Sequence, residues 1–189
     1  PSFQQRNWQL ARRAVELRLQ TDHEPPPTTN AIEHSLSLTI PGRFEIVNSN
    51  NQTIVLDAAH NPQKIATLVR ALSETFPKAP IVCLVSLGAN KVGSARESLE
   101  RLSNISRNII ATEFDLEFNG MNGALPAREL AKLSHAITQE IKDPFAAFSE
   151  ALRTANTLSA ILVVTGSFYL VSNVKATDII VGAIPQQAL

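Results

Sequence analysis

From about residue 44 onward, short runs rich in Val, Ile and Leu alternate with longer amphipathic stretches. This alternation constrains the fold more than any other feature. The runs fall at 44–47, 53–57, 81–85, 108–111 and 160–164, with a weaker one at 138–141. After the second run, apolar residues recur at helical spacing as Ile65, Leu68, Val69, Leu72 and Phe76. Phe145, Phe148 and Leu152 do the same before the last run. Apolar strands separated by helix-length segments predict parallel βαβ units. Four or five such units predict an α/β class fold, Rossmann-like: a doubly wound, mostly parallel sheet with helices on both faces and right-handed crossovers. Residues 48–51 separate the first two runs closely enough to predict a hairpin-like pair.

Local signals place the helices. Asn61-Pro62 and Asp143-Pro144 each offer an N-cap side chain followed by a proline suited to the first turn. Helices are predicted over 62–76, 95–102, 126–135 and 168–174, and from Pro144 onward. Ser94-Ala95-Arg96-Glu97 matches a capping box, with Ser94 as the cap. Upstream, 7–19 reads as a helix around Leu10, Ala14 and Leu17. A stiff connector over 21–29 contains Pro25-Pro26-Pro27, and a short helix over 30–36 follows. Pro41-Gly42 is a turn where the character of the chain changes. The tail over 176–189 is apolar at Ile179, Ile180, Val181 and Ile184, which leaves an edge strand and a disordered extension both open.

Composition narrows the function classes. The 189 residues carry 17 Lys+Arg and 17 Asp+Glu, giving zero formal charge. A nucleic-acid binder usually shows a basic face, so none is expected. An apolar share of 44% with 18% charged residues fits a globular domain and not a disordered chain. The longest uninterrupted apolar runs, such as 160–164, are far short of the ~20 residues of a membrane span. The single Cys83 lies in an apolar run and reads as a buried, inert thiol. A lone cysteine without a signal peptide predicts a reducing, cytoplasmic setting, so the sequons at Asn51 and Asn104 are chance matches.

In an open α/β sheet, ligands bind beyond the carboxyl ends of the strands. Two such exits are rich in polar groups. The first is Asp57-Ala58-Ala59-His60-Asn61-Pro62, where an acid ends the strand, two small residues turn the chain, and Asn61 caps a helix. The free N–H groups there suit a phosphate or carboxylate, and Asp57 suits ribose hydroxyls or a metal. It reads equally well as a plain helix start with surface polar groups. The second is Thr165-Gly166-Ser167, where Gly166 allows a tight turn. Ser167 is there either an anion donor or an ordinary cap. Both exits are expected at one edge of the sheet, facing one ligand. Lys91, His23, His34 and His135 read as solvated groups. There is no paired Cys/His metal spacing, no G-x-x-x-x-G-K-[ST] loop and no G-x-S-x-G elbow.

Three stretches of sequence carry a resemblance. Pro41-Gly42-Arg43-Phe44-Glu45, then Asp57-Ala58-Ala59-His60-Asn61-Pro62, then Val164-Thr165-Gly166-Ser167-Phe168-Tyr169-Leu170-Val171 resemble, in order and spacing, the C-terminal domain of the folylpolyglutamate synthase/dihydrofolate synthase family of the Mur ligase superfamily. Gln4-Gln5-Arg6-Asn7 and Ala11 loosely resemble the end of that family's central ATPase domain, with Trp8 where a small residue is usual. The resemblance implies a Rossmann-like C-terminal ligase domain over 41–175, a linker and short helix over 21–40, and the last helix of a central ATPase domain over 1–20. It implies an ATP-dependent enzyme that joins L-glutamate to a pterin-linked carboxylate through an acyl phosphate, with ATP and Mg²⁺ as cofactors. The Mg²⁺ ligands are implied to lie mainly in the central domain, and the protein is expected to be a monomer. Carried over by residue, Asn7 would contact adenine, Arg43 a phosphate, and Asp57 the ribose or a basic neighbour. His60 would be catalytic and, with Ser167, would hold glutamate. In this family the loop near Lys91 usually carries a Lys-Asp pair; Lys91-Val92 here leaves Lys91 without a role.

The start at Pro1 inside a helical pattern reads as a piece of a longer protein. A ligase for a cell-wall precursor and a non-catalytic nucleotide- or anion-binding module are the alternative readings. With no phosphate-cradling loop, the purified chain alone is expected to hydrolyse no ATP and make no amide bond. A phosphate-release assay above background would contradict this.

Overall fold

The computed structural model describes residues 1–114 and 123–181. The chain forms two compact units, Pro1–Ile40 and Pro41–Leu189. In the first, α1 (Ser2–Thr21) and α2 (Thr29–Ser37) are joined by a hydrogen bond from the Trp8 indole Nε1 to Ser35 Oγ at 3.0 Å. The α1 helix runs longer than the apolar spacing predicts. It buries no residue, and Leu10 stands 71% exposed.

The second unit is built on six strands in the order β1-β2-β6-β3-β4-β5. They are β1 (Glu45–Ser49), β2 (Gln52–Asp57), β3 (Ile81–Val85), β4 (Asn108–Ala111), β5 (Ile137–Glu140) and β6 (Ile161–Thr165). β1 pairs antiparallel with β2, and every other pairing is parallel. The alternation in the sequence has therefore produced the expected mostly parallel α/β sheet. Strands β3 and β6 are buried at every residue because helices cover both faces, which is why they read as unbroken apolar runs.

Helices α3 (Pro62–Thr75), α4 (Val92–Ser103), α5 (Ala127–Leu133), α6 (Pro144–Thr157), α7 (Phe168–Lys175) and α8 (Asp178–Val181) complete the unit. Period-two alternation divides each strand between two cores. Ile54, Leu56, Val82, Leu84, Leu162 and Val164 pack with Phe148 and Ala151 of α6 and Leu170 and Val174 of α7. Val55, Cys83, Ile109 and Val163 face the other way and are equally buried. On that side α3 and α4 pack together and bury Ile65, Leu68, Leu99 and Leu102. Burial pushes the Cys83 thiol up to about 12, so it is inert, as its apolar setting implies.

Several local expectations change. The hairpin loop is only two residues: Ser49 pairs with Gln52, and Asn50 and Asn51 sit at φ 48 and 62. Both left-handed positions suit a mirror-image turn whose twist matches the flanking strands, and asparagine tolerates them. The capping box at Ser94 does not form. A 3₁₀ turn at Ala89–Lys91 runs straight into α4, so Lys91 precedes the helix and Ser94 is already inside it, donating back to the Lys91 carbonyl at 3.3 Å. α5 ends at Leu133, short of His135. The described part of the tail is the short helix α8 with Ile180 buried, not an edge strand, and 182–189 lie outside the described residues.

Gly166 carries the tightest constraint. It sits at φ +99, and a Cβ there would lie 2.2 Å from the Ser86 carbonyl oxygen. A methyl group cannot fit without moving backbone. Gly166→Ala is expected to cost about 3 kcal/mol in urea denaturation, combining left-handed strain with a backbone clash. A cost below about 1 kcal/mol would show that the turn can relax.

Candidate active site at the β2 and β6 ends

Strands β2 and β6 are direct neighbours, and Asp57 is in register with Thr165. From β2 the chain passes through α3 to β3 and works outward to β5. It then returns through α6 to fill the place between β2 and β3. Helix α3 covers one face and α7 the other. This reversal is the topological switch that opens a crevice at the carboxyl edge of such a sheet. The turns at 58–61 and 166–167 form its two sides, and the Thr165 hydroxyl donates across to the Ala59 carbonyl at 3.3 Å.

Asp57 is the buried centre of this arrangement, 6% exposed. Its Oδ2 accepts the Phe44 amide and its Oδ1 the Ala59 amide, each at 2.8 Å. The Ala58 amide donates to the Gly42 carbonyl at 2.9 Å. One carboxylate thus fastens the turn before β1 to the turn after β2. Burial pushes the Asp57 carboxyl up; the Ala59 and Phe44 amides, then the Arg43 and Lys64 charges, pull it back. Phe44 is held at φ 50, a costly conformation for a bulky residue, kept by this amide bond and by burial of its ring.

Glu45 fixes the same turn from the other side. Its Oε2 accepts the Gly42 amide at 2.8 Å, and Lys175 of α7 donates to its two oxygens at 2.6 and 2.9 Å. Between these anchors Arg43 lies against Phe168, its guanidinium carbon 4.6 Å from the ring centroid. The same ring stands 6.4 Å from the His60 ring. Ser167 caps α7, its Oγ accepting the Tyr169 amide at 3.1 Å. The ordinary cap is therefore real, and the hydroxyl still has its proton to donate.

His60 is held at both ring nitrogens. Nδ1 lies 2.8 Å from the Ala58 carbonyl oxygen, so Nδ1 carries the proton. Nε2 is left as an acceptor and meets the Lys64 ammonium at 3.2 Å. Lys64 lies in the first turn of α3, against the helix dipole, in a turn with no acidic residue. Arg43 and Lys64 thus outnumber the single Asp57 carboxylate, whose oxygens are already engaged by amides. The crevice suits an anionic ligand.

Four of the five residues singled out in the sequence, Arg43, Asp57, His60 and Ser167, meet at this crevice. Asn7 is an exposed residue of α1 in the other unit. Lys91 closes a 3₁₀ turn, and His23, His34 and His135 are exposed. Sequence reasoning missed Lys64, Phe168 and the Glu45–Lys175 pair. A lysine one helical turn after His60 was the available signal for the first. No group of three His, Cys, Asp or Glu that could hold a metal occurs among the described residues. Each Asp57 oxygen already accepts one amide and His60 Nε2 faces the Lys64 ammonium, so these two residues alone do not make a metal centre.

Asp57→Asn tests the fastening role. One carboxylate oxygen becomes an NH₂ facing a backbone N–H, so a loss of about 1–3 kcal/mol is expected by urea denaturation. A change within 0.5 kcal/mol, at the level of an ordinary surface substitution, would contradict it.

Comparison with known proteins identifies the fold and the family. The family model described as Mur ligase, glutamate ligase domain, fits residues 42–168. A folylpolyglutamate synthase of Lacticaseibacillus casei is 29% identical over 179 residues, covering 93% of this chain and 38% of that protein. The structure of a bifunctional folylpolyglutamate synthase/dihydrofolate synthase with Mn, AMPPNP and L-glutamate bound superposes with a TM-score of 0.70 at 25% identity, covering 85% of this chain and 37% of that one. The Yersinia pestis enzyme complexed with AMPPNP and Mn ion gives the same TM-score of 0.70, the same 25% identity and the same coverage. The chain therefore spans well under half the length of these relatives. Because the family model matches residues 42–168, well over half of the chain, this chain belongs to the Mur ligase family, as its glutamate ligase domain.

Proposed function

We propose that this chain is the glutamate-contacting part of an ATP-dependent ligase that adds L-glutamate to dihydropteroate or to a tetrahydrofolate. The observation that carries the reading is the register of Asp57 with Thr165, which sets the His60 and Ser167 turns side by side at an electropositive crevice. The solved relative with Mn, AMPPNP and L-glutamate bound supports it.

In this reaction the terminal phosphoryl group of ATP passes to the acceptor carboxylate, and ADP leaves. The glutamate amine then attacks the acyl carbonyl, its proton is lost, and phosphate departs. Both steps gather negative charge on oxygen, so positioning and charge neutralisation do most of the work. Arg43, braced on Phe168, presents its fork to phosphate oxygens. His60 and Ser167 hold glutamate. Asp57 shapes the walls and offers its remaining lone pairs to the ribose. Asn7 contacts the adenine. ATP and a divalent cation such as Mg²⁺ supply the activating chemistry, with the metal ligands in a preceding ATPase domain. Helix α1 is read as the last helix of that domain, residues 21–40 as the linker, 41–175 as the ligase domain and 176–189 as a tail. The exposed apolar side chains of α1 support that assignment. Closure of the two domains would keep water from the acyl phosphate. The full-length enzyme is read as a cytoplasmic monomer; no helix among the described residues is long and apolar enough to cross a membrane.

In the full-length enzyme, His60→Ala is expected to lower turnover about 100-fold or more, the scale of a lost acid–base or positioning group. His135→Ala, on an exposed residue away from the crevice, is expected to stay within about twofold, the effect of an ordinary surface change. Assays run with dihydropteroate and with tetrahydrofolate identify the acceptor, and equal losses in the two variants would refute the site.

A further inference from the structure

We infer that Lys64 is a positioning residue that presets His60 to receive the amine, and not a carboxylate, of the incoming amino acid. The inference rests on the proposed ligase reading. The imidazole has two chemically distinct nitrogens, and the partner of one decides the role of the other. With Nδ1 bound to the Ala58 carbonyl oxygen at 2.8 Å, that nitrogen is the donor. With the Lys64 ammonium 3.2 Å from Nε2, that nitrogen can only be an acceptor, since an ammonium has nothing to accept with. Lys64 excludes the opposite tautomer, in which Nε2–H would point at three N–H groups. It also discourages a flipped ring, which would set a carbon where the ammonium now finds its acceptor.

A carboxylate or phosphate arriving at Nε2 would need a donor and finds a lone pair. An amine brings N–H groups and fits it. The acceptor lone pair now used by Lys64 is the one the glutamate amine would use. Handing it over leaves the Lys64 ammonium free to pair with an anionic group of the ligand. The charged groups around His60 are consistent with this division. Asp57 at the end of β2 is bound to two amides, Arg43 lies against Phe168, and Lys64 rises from α3. Cations are thus set for the anionic groups and His60 for the amine.

The position also breaks a local rule in a telling way. A lysine at the third position of α3 opposes the helix dipole, and no acid in that turn offsets it. Lys64 is exposed. A residue that opposes local preference is explained by what its charge does for its neighbours, here the His60 ring and, more weakly, the Asp57 carboxylate.

The test uses the full-length enzyme with Lys64→Met, Lys64→Arg and His60→Ala. Histidine ring ¹⁵N shifts of the parent are expected to show a protonated Nδ1 and a bare Nε2. In Lys64→Met the Nε2-protonated tautomer should appear alongside it. kcat/KM for glutamate should fall about tenfold, the equivalent of one lost hydrogen bond to a charged group. KM for ATP and the melting temperature should hold. Lys64→Arg, which keeps a cationic donor, should recover most of the loss and restore the single tautomer. Unchanged ring shifts in Lys64→Met would overturn the inference. So would unchanged kcat/KM for glutamate in Lys64→Met when His60→Ala is severely impaired. A fully active His60→Ala would instead refute the ligase role of His60, while the tautomer measurement would still decide what Lys64 does to the ring.

Discussion

Everything at the site depends on one buried carboxylate. Asp57 ends β2 and spends one oxygen on the amide of Phe44 and the other on that of Ala59. The first bond fixes the turn that carries Arg43, and the second fixes the turn that carries His60. A charge at that depth is expensive unless its lone pairs are used, and two amides use them at short distance. The cost is visible in the direction of its pKa, which burial raises despite four favourable influences. The site therefore stores some instability at its centre, and the apolar layers of α6 and α7 below it supply the stability that allows this.

The second layer of control is the pair of turns on either side of the crevice. Gly166 lets β6 turn against the Ser86 carbonyl, and this close approach puts Ser167 at the start of α7. Phe168 then follows at once and offers one ring to both Arg43 and His60. The stack is worth about 0.5–1 kcal/mol at a half-exposed position, too little to hold the fold. It is enough to bias the rotamers of two side chains, and positioning at that scale matters when reacting groups must meet within a few tenths of an ångström.

The sheet was legible because burial on both faces forces unbroken apolar strands, and helices of matching length must separate them. The exits at Asp57 and Thr165 were legible for the same reason, since strand ends are where such sheets expose polar groups. What was not legible came from long-range geometry. Ser94 satisfies a local capping rule, yet the turn at Ala89–Lys91 leads directly into the helix and makes the cap unnecessary. Glu45 and Lys175 are far apart in sequence, and no local pattern announces their pairing. Phe44 at positive φ has no sequence signal at all, because a phenylalanine there is against preference. Lys64 could have been noticed from its spacing to His60, but only the structure shows the ring nitrogen it meets.

Four departures from local preference lie close together. The left-handed Phe44, the obligatory Gly166, the lysine in the first turn of α3 and the buried Ser86 hydroxyl, which has no hydrogen-bond partner among the described residues, all lie at or beside the carboxyl ends of β2, β3 and β6. Across the central strands β2, β6 and β3, patterning and packing agree. Consistency between levels is what gives a sequence a single fold, and departures from it are tolerated where the molecule needs a conformation or a charge that folding alone would not select. A surface turn with no task could relax each of these features by an ordinary substitution: glycine or asparagine for Phe44, glutamate for Lys64, alanine for Ser86. Left-handed backbone also occurs at Lys78 and Ser159, before β3 and β6, so what distinguishes this edge is its conjunction of strained backbone with Arg43, Asp57 and His60. The apolar pattern alone therefore led to the fold, but not to the lysine that meets the histidine ring.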